Sequence, residues 1–276
     1  MTMPPQRRAL LTFLAIALVS AACNATSNNT VPVDQGVAPA AVKSAPGGTS
    51  DAPDIDLWAP FLAVAAGNYT AQCKSLSIPP QPAAKQNGPL IIAADGTLHA
   101  GSVVGNLKPA RTASLNRSRD ISGKPLLSVS IASKAGSFGA VEQDDGTKQA
   151  AFGRTPNMFE CRLAEKVQPG TQSIYVQFAG FFDAASKMTC RHVRTRKVDK
   201  ADYEMAKGVL TIGTTRFDLN TLKDENLIMW PEEGFSYSGN TDNDSSFDLD
   251  LDMHGKPKHL KLMKKGRNLI ECSPLR

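Results

Sequence analysis

The chain ends on the run Asn268-Leu269-Ile270-Glu271-Cys272, and the same pattern stands earlier as Asn157-Met158-Phe159-Glu160-Cys161. Counting back from each cysteine reaches another: Cys73 precedes Cys161 by 88 residues, and Cys190 precedes Cys272 by 82. Two frames of nearly equal length, each opened and closed by a cysteine, constrain the chain more than any other feature, because self-similarity at a long period decides the architecture. Other landmarks keep step. Trp58 and Phe61 precede Cys73 by 15 and 12 residues, as Tyr175 and Phe178 precede Cys190. Ser137-Phe138 stands before Gly146 as Ser246-Phe247 stands before Gly255, and Leu127-Ser128-Val129-Ser130 matches Phe235-Ser236-Tyr237-Ser238. Pro89-Leu90-Ile91-Ile92 is aligned with Val209-Leu210-Thr211-Ile212.

Four cysteines allow three pairings, and the duplication selects among them: Cys73 with Cys161 and Cys190 with Cys272, each bridge clamping the opening segment of a unit to its closing strand. Loops of this length gain on the order of 4 kcal/mol each from loop closure in the chain-entropy model. A zinc site built from the same four thiolates is the rival reading. It lacks the Cys-x-x-Cys pairs that such sites use, so no metal is expected.

The fifth cysteine belongs to a different region. Met1 to Ala22 carries Arg7 and Arg8, then the apolar run Ala9 to Val19, then small Ser20-Ala21-Ala22, which is the plan of a secretory signal peptide. This run of 11 residues falls short of the roughly 20 needed to cross a bilayer. Cys23 follows directly and resembles the lipidated cysteine of bacterial lipoproteins, although Ser20 stands where their signals usually hold leucine. Cleavage after Ala21 or Ala22 without lipid is the alternative, and the Sec route is expected ahead of the twin-arginine one. Asn24 to Asp56 is rich in Asn, Ala, Pro, Ser, Thr and Gly with almost no large apolar residue, so residues 23–56 read as an anchor cysteine and a disordered linker. Square-root scaling gives this tether a span of roughly 30 Å.

The remaining body, 57–276, has room for two domains of about 100 residues, placed at 57–167 and 174–276. Removal of the signal leaves 29 basic against 26 acidic residues. That near balance argues against nucleic acid as a partner. Inside each unit the periodicity is that of strands. Asp95-Gly96 and Asp145-Gly146 mark hairpins, with counterparts expected near Gly213-Thr214 and His254-Gly255. Around the last of these, Phe247, Leu249, Leu251 and Met253 alternate with Asp248, Asp250 and Asp252. A two-residue turn at His254-Gly255 sets Leu249 opposite Leu260, Phe247 opposite Leu262, Asp248 opposite Lys261 and Asp250 opposite His259, so packing and charge support one register. Helix is expected only over Leu57–Ala66 with Asp56 as cap, over Ile174–Ala185, and for a turn or two within Val198–Lys207. The fold class is therefore mainly β: a tandem duplication of two small antiparallel barrel-like or sandwich-like domains, each closed by one disulfide.

Chemistry is sparse. The histidines His99, His192, His254 and His259 form no zinc motif, and neither a Gly-x-Ser-x-Gly elbow nor a phosphate loop occurs. Gly101-Ser102-Val103-Val104-Gly105 and Gly136-Ser137-Phe138-Gly139 only place serine near glycine. Asp242-Asn243-Asp244, with Asp248 nearby, has calcium-loop residue types but neither the glycine nor the closing glutamate at the required positions. No catalytic residue and no cofactor is assigned. Arg191, His192, Arg194 and Arg196, followed by Lys197, form the one candidate binding patch, suited to anionic lipid headgroups or an acidic partner if it is not merely a charged edge kept soluble. The expected function is that of a non-enzymatic exported lipoprotein, held to a membrane facing the periplasm or cell surface, whose tandem β-modules bind a protein or other envelope component. Lipid-anchored small β-domains with bridged first and last strands are also the plan of membrane-bound inhibitors of C-type lysozyme. The chain resembles these in general plan, with Ser236-Tyr237-Ser238-Gly239 nearest to their inhibitory serine-glycine loop, which implies an inhibitor as a second reading. An envelope enzyme assembled from dispersed residues such as His99 is a third.

Overall fold

Alternating apolar and polar residues bounded by glycine-bearing turns run through most of the body, and they fold as strands. The computed structural model describes residues 56–75, 90–101, 103–154, 157–163, 165–168, 172–178 and 181–275. The signal region, Cys23, most of the tether and Ser102 lie outside the described residues. In chain order the elements are helix α1 (Ala59–Ala65), strands β1 (Gly67–Tyr69), β2 (Ala71–Ser75), β3 (Leu90–Ile92), β4 (Thr97–Ala100), β5 (Val103–Asn106), β6 (Ala110–Arg119), β7 (Pro125–Ser133), β8 (Ser137–Gln143), β9 (Lys148–Arg154) and β10 (Asn157–Arg162). Then come helix α2 (Ile174–Gln177) and strands β11 (Ala184–His192), β12 (Val198–Ala206), β13 (Val209–Ile212), β14 (Thr215–Asp218), β15 (Asp224–Trp230), β16 (Gly234–Asn240), β17 (Ser245–Leu251), β18 (Pro257–Lys264) and β19 (Arg267–Pro274). The protein is mainly β, with every ladder antiparallel.

Strand order repeats between the halves. In the second half it runs β14-β13-β12-β11-β19-β18-β17-β16-β15. In the first, β5-β4-β3-β1 forms a four-stranded sheet, the chain passes through Thr70 into β2, and β2 continues as β2-β10-β9-β8-β7-β6. The two halves meet where β6 pairs with β15, Leu115 opposite Leu227. A strand pairing antiparallel with its own counterpart is what a two-fold relation between the halves produces.

Neither half closes into a hydrogen-bonded barrel, which corrects that part of the expected fold: the sheets are open, ending at β14, β2, β1 and β5. The second half nevertheless curls. Phe217 on β14 packs 5.2 Å, centroid to centroid, from Phe247 on β17, although six ladder steps would separate those strands by roughly 29 Å in a flat sheet. Burying both apolar faces of a twisted sheet against each other is the physical reason for the curl. Phe182 stacks on Tyr237 at 5.6 Å, Phe61 of α1 meets Phe178 beside α2 at 5.7 Å, and a continuous core runs through both halves.

Both disulfides form as the duplication requires, Cys73 with Cys161 and Cys190 with Cys272, with Cα atoms 4.1 and 4.0 Å apart. The first ties β2 and the second ties β11 to the last strand of its half; Cys190 and Cys272 are direct cross-strand partners.

The β17–β18 register is the one expected from the sequence in all four pairs. Its turn is longer, because Asp252 N donates to Lys256 O at 2.9 Å and a bulge beside Asp250 restores the alignment. Four other expectations are corrected. Val198–Lys207 is not helical: β12 is paired on both sides, by β11 and β13, and its Tyr203 and Met205 enter the core at period two, so tertiary pairing overrides helix propensity. Helix α2 stops at Gln177, capped at Ser173, and Ala184–Ala185 opens β11. The cap of α1 is Trp58 rather than Asp56, whose carboxylate instead accepts from Trp58 N at 2.9 Å. The alignment of Pro89–Ile92 with Val209–Ile212 is displaced by one strand. Strand order equates β3 with β12 and β4 with β13, so Lys207-Gly208 is the counterpart of Asp95-Gly96.

Candidate functional site

The run of basic residues after Cys190 lies on a hairpin that its neighbours position. Alternation along β11 turns Met188 and Cys190 into the core and Arg191 outward; the chain then reverses over 193–197, with His192 N donating to Lys197 O at 2.9 Å and Arg196 N to His192 O at 2.8 Å. Arg191 is engaged: its Nη2 donates to Glu271 Oε2 at 2.9 Å, and this bond holds the Glu271 carboxyl below the usual carboxylate range. His192 Nε2 lies 3.3 Å from Asp199 Oδ2, and Lys197 Nζ is 3.1 Å from Asp199 Oδ1. Arg194 and Arg196 stand on the exposed turn and make no ion pair among the described residues. The four predicted binding residues are thus together, but two are tied to acids and two are presented to solvent.

A second turn joins this one. Val193 N donates to Leu269 O at 2.9 Å, which places the β18–β19 turn, with Lys264, Lys265 and Arg267 all exposed, beside the arginine hairpin. Lys265 N in turn donates to Asp244 O at 2.8 Å, so the Asp242-Asn243-Asp244 turn is the next neighbour along the same rim.

The remaining sequence candidates are dispersed. His99 is exposed on β4, His254 sits in the β17–β18 turn, and His259 Nδ1 lies 3.8 Å from Asp250 Oδ2 across that hairpin. Among the described residues no three His, Cys, Asp or Glu side chains group as metal ligands. Ser236-Tyr237-Ser238-Gly239 is part of β16, not a loop: Tyr237 is fully buried and Gly239 packs against Leu222 and Phe247.

Sequence reasoning missed a buried carboxylate that gathers three donors. Glu225 opens the buried face of β15, and its carboxylate accepts from Arg117 Nε at 2.5 Å, from Ile174 N at 3.0 Å and from Tyr237 Oη at 2.7 Å. Arg117 also donates to Leu222 O at 3.0 Å. A signal for it existed: Ala113, Leu115, Arg117 on one strand and Glu225, Leu227, Met229 on another are two period-two apolar series, each ended by a charge of opposite sign. A smaller polar site lies in the first half, where Lys148 Nζ donates to Ala66 O, the end of α1, at 2.9 Å. Burial lowers the Lys148 pKa, opposed by Glu142. Each of these groups is satisfied by chain atoms, which is the pattern of structural rather than reacting groups.

No family model, curated protein or solved structure matches the chain.

Proposed function

We propose that this chain is an exported, lipid-anchored, non-enzymatic protein of the cell envelope, and that its two halves are copies of one curled, sandwich-like β-module that together present a binding surface. The observation that carries the reading is the pair of bridges, Cys73–Cys161 and Cys190–Cys272, each spanning a whole half. Stable disulfides belong to oxidising compartments, in keeping with the signal-like segment and the small residues before Cys23. The repeated strand order supports duplication. Of the exposed surfaces, the arginine-bearing rim of the second half fits a binding role best, since Arg194 and Arg196 make no ion pair among the described residues, whereas Arg191 and His192 are held by Glu271 and Asp199.

Fractionation tests the reading. The wild-type chain is expected in the membrane fraction, with both bridges oxidised, and Cys23→Ala is expected in the soluble envelope fraction. Recovery of both proteins in the cytosol with reduced cysteines would overturn export, and unchanged membrane association of Cys23→Ala would overturn the anchor.

A further inference from the structure

Five of the basic side chains of the second half stand together at one end of it. Residues 174–276 carry 16 basic and 15 acidic side chains, a composition with almost no net charge, yet Arg194, Arg196, Lys264, Lys265 and Arg267 stand on or beside two adjacent turns. None of the five makes an ion pair among the described residues. Asp242 and Asp244 are exposed on the neighbouring turn, and Lys197 is paired with Asp199. Three of the eight exposed large aliphatics among the described residues sit beside these cations: Val193, 42 % exposed, Val198, 59 %, and Leu269, 46 %. Val193 and Leu269 are adjacent through the backbone bond between them.

We infer that this rim, the β11–β12 and β18–β19 turns of the second half, docks on the surface of an anionic phospholipid bilayer. Protruding hairpin turns meet a plane more readily than they enclose a ligand. Exposed aliphatic side chains ringed by Arg and Lys have the chemistry of a surface that sits at the headgroup boundary: the cations meet phosphate and the short apolar groups enter the interface. A protein hot spot would set aromatic anchors beside its arginines, and the rim has no aromatic side chain among residues 193–198 and 264–269. The inference deepens the proposed envelope role by naming what the exposed cations face. A lipid on Cys23 would hold the rim within reach of the membrane and raise its effective concentration there, but docking does not depend on that lipid.

The test uses the exported chain carrying Cys23→Ala, purified from the soluble envelope fraction, in co-sedimentation with vesicles of phosphatidylcholine alone and of phosphatidylcholine with phosphatidylglycerol. Binding is expected to the anionic vesicles only and to weaken as salt is raised, because the attraction falls off within a Debye length. Adding Arg194→Ser, Arg196→Ser and Lys265→Ser is expected to lower the partition coefficient by roughly fivefold per cation; Val193→Ser with Leu269→Ser is expected to lower it at all salt concentrations. Unchanged thermal melting of the variants, all at exposed positions on or beside the two turns, shows that the fold is intact. Equal binding to both vesicle types, no binding to either, or retention by an acidic protein surface without vesicle binding would overturn the inference. Because the protein tested lacks the anchor, vesicle binding tests the rim and fractionation of the wild type tests the anchor, and either can fail alone.

Discussion

Arg117 Nε donates to Glu225 Oε2 at 2.5 Å across the ladder that joins β6 to β15, with the Glu225 side chain wholly buried and Arg117 17 % exposed. One charge comes from each half, so the ladder between the halves carries its polar partners at its end. A buried pair of this kind contributes little when compared with apolar replacements, but breaking it strands the survivor at about 3–5 kcal/mol. Glu225→Ala is therefore expected to lower unfolding free energy by about 3–5 kcal/mol, as read from urea midpoints, because Arg117, Ile174 N and Tyr237 Oη all lose their acceptor. Adding Arg117→Met removes the stranded cation and should recover at least about 1 kcal/mol relative to the sum of the single losses. Strict additivity would show that the two side chains do not act as a pair.

Each disulfide encloses nearly all of one half, so the bridges act mainly on the unfolded chain. Replacing Cys190 and Cys272 together by alanine is expected to cost about 2–5 kcal/mol, with Cys73 and Cys161 giving a similar loss. Denaturant melts of the two double variants would check this. A loss below about 1 kcal/mol in both would mean that closing these loops restricts the unfolded chain little.

Legibility in the sequence followed the range of the interaction that decides each element. The β17–β18 hairpin was readable because its register is fixed by neighbours on one strand pair, where Asp248 finds Lys261 and Leu249 finds Leu260. The disulfides were readable through the repeat alone. Val198–Lys207 was misread because Lys200, Glu204 and Ala206 favour helix locally, whereas β11 and β13 flank the segment only after chain reversal. The one-strand displacement around Pro89 arose from the same cause: β3 and β13 look alike as short aliphatic runs, and only pairing order separates them. Glu225 was invisible as a partner of Arg117 because 108 residues separate them. The rim was half visible: the arginines after Cys190 stood out, but their meeting with Lys265 and Arg267 depends on β11 lying beside β19.

All four tyrosines have raised pKa values, and burial is the largest cause for each; Glu225 adds to it at Tyr237 and Asp183 at Tyr175 and Tyr203. A folded-state pKa above the unfolded value near 10 means that unfolding releases a proton in alkaline solution. The corresponding stability is fully present below pH 10 and is lost as pH rises beyond it. Tyr69, Tyr203 and Tyr237, the three fully buried ones, should each steepen this loss by up to about 1.4 kcal/mol per pH unit. Tyrosinate absorbance is expected to emerge together with the loss of the β-sheet circular dichroism signal. Free titration of the phenols near pH 10 in the folded protein would contradict their burial.

Two glycines separate backbone conformation from space. Gly266 has φ 70° and a Cβ placed there meets nothing within 4 Å, so Gly266→Ala tests the left-handed conformation alone and is expected to cost about 1–2 kcal/mol. Gly234 opens β16 with φ 130°, and a Cβ there would fall 2.0 Å from Leu251 O, a backbone atom of the neighbouring β17 that cannot rotate away. To accommodate alanine, β16 must move off β17 beside Phe235, whose ring packs against Phe178, Phe181 and Phe182. Gly234→Ala should therefore exceed Gly266→Ala by several kcal/mol and reach the tail of about 4 kcal/mol or more that only specific mechanisms produce. Equal urea midpoints for the two variants would mean that β16 and β17 do not approach as closely at Gly234 as their pairing requires, and the curl that places Phe217 against Phe247 would lose its support on that side.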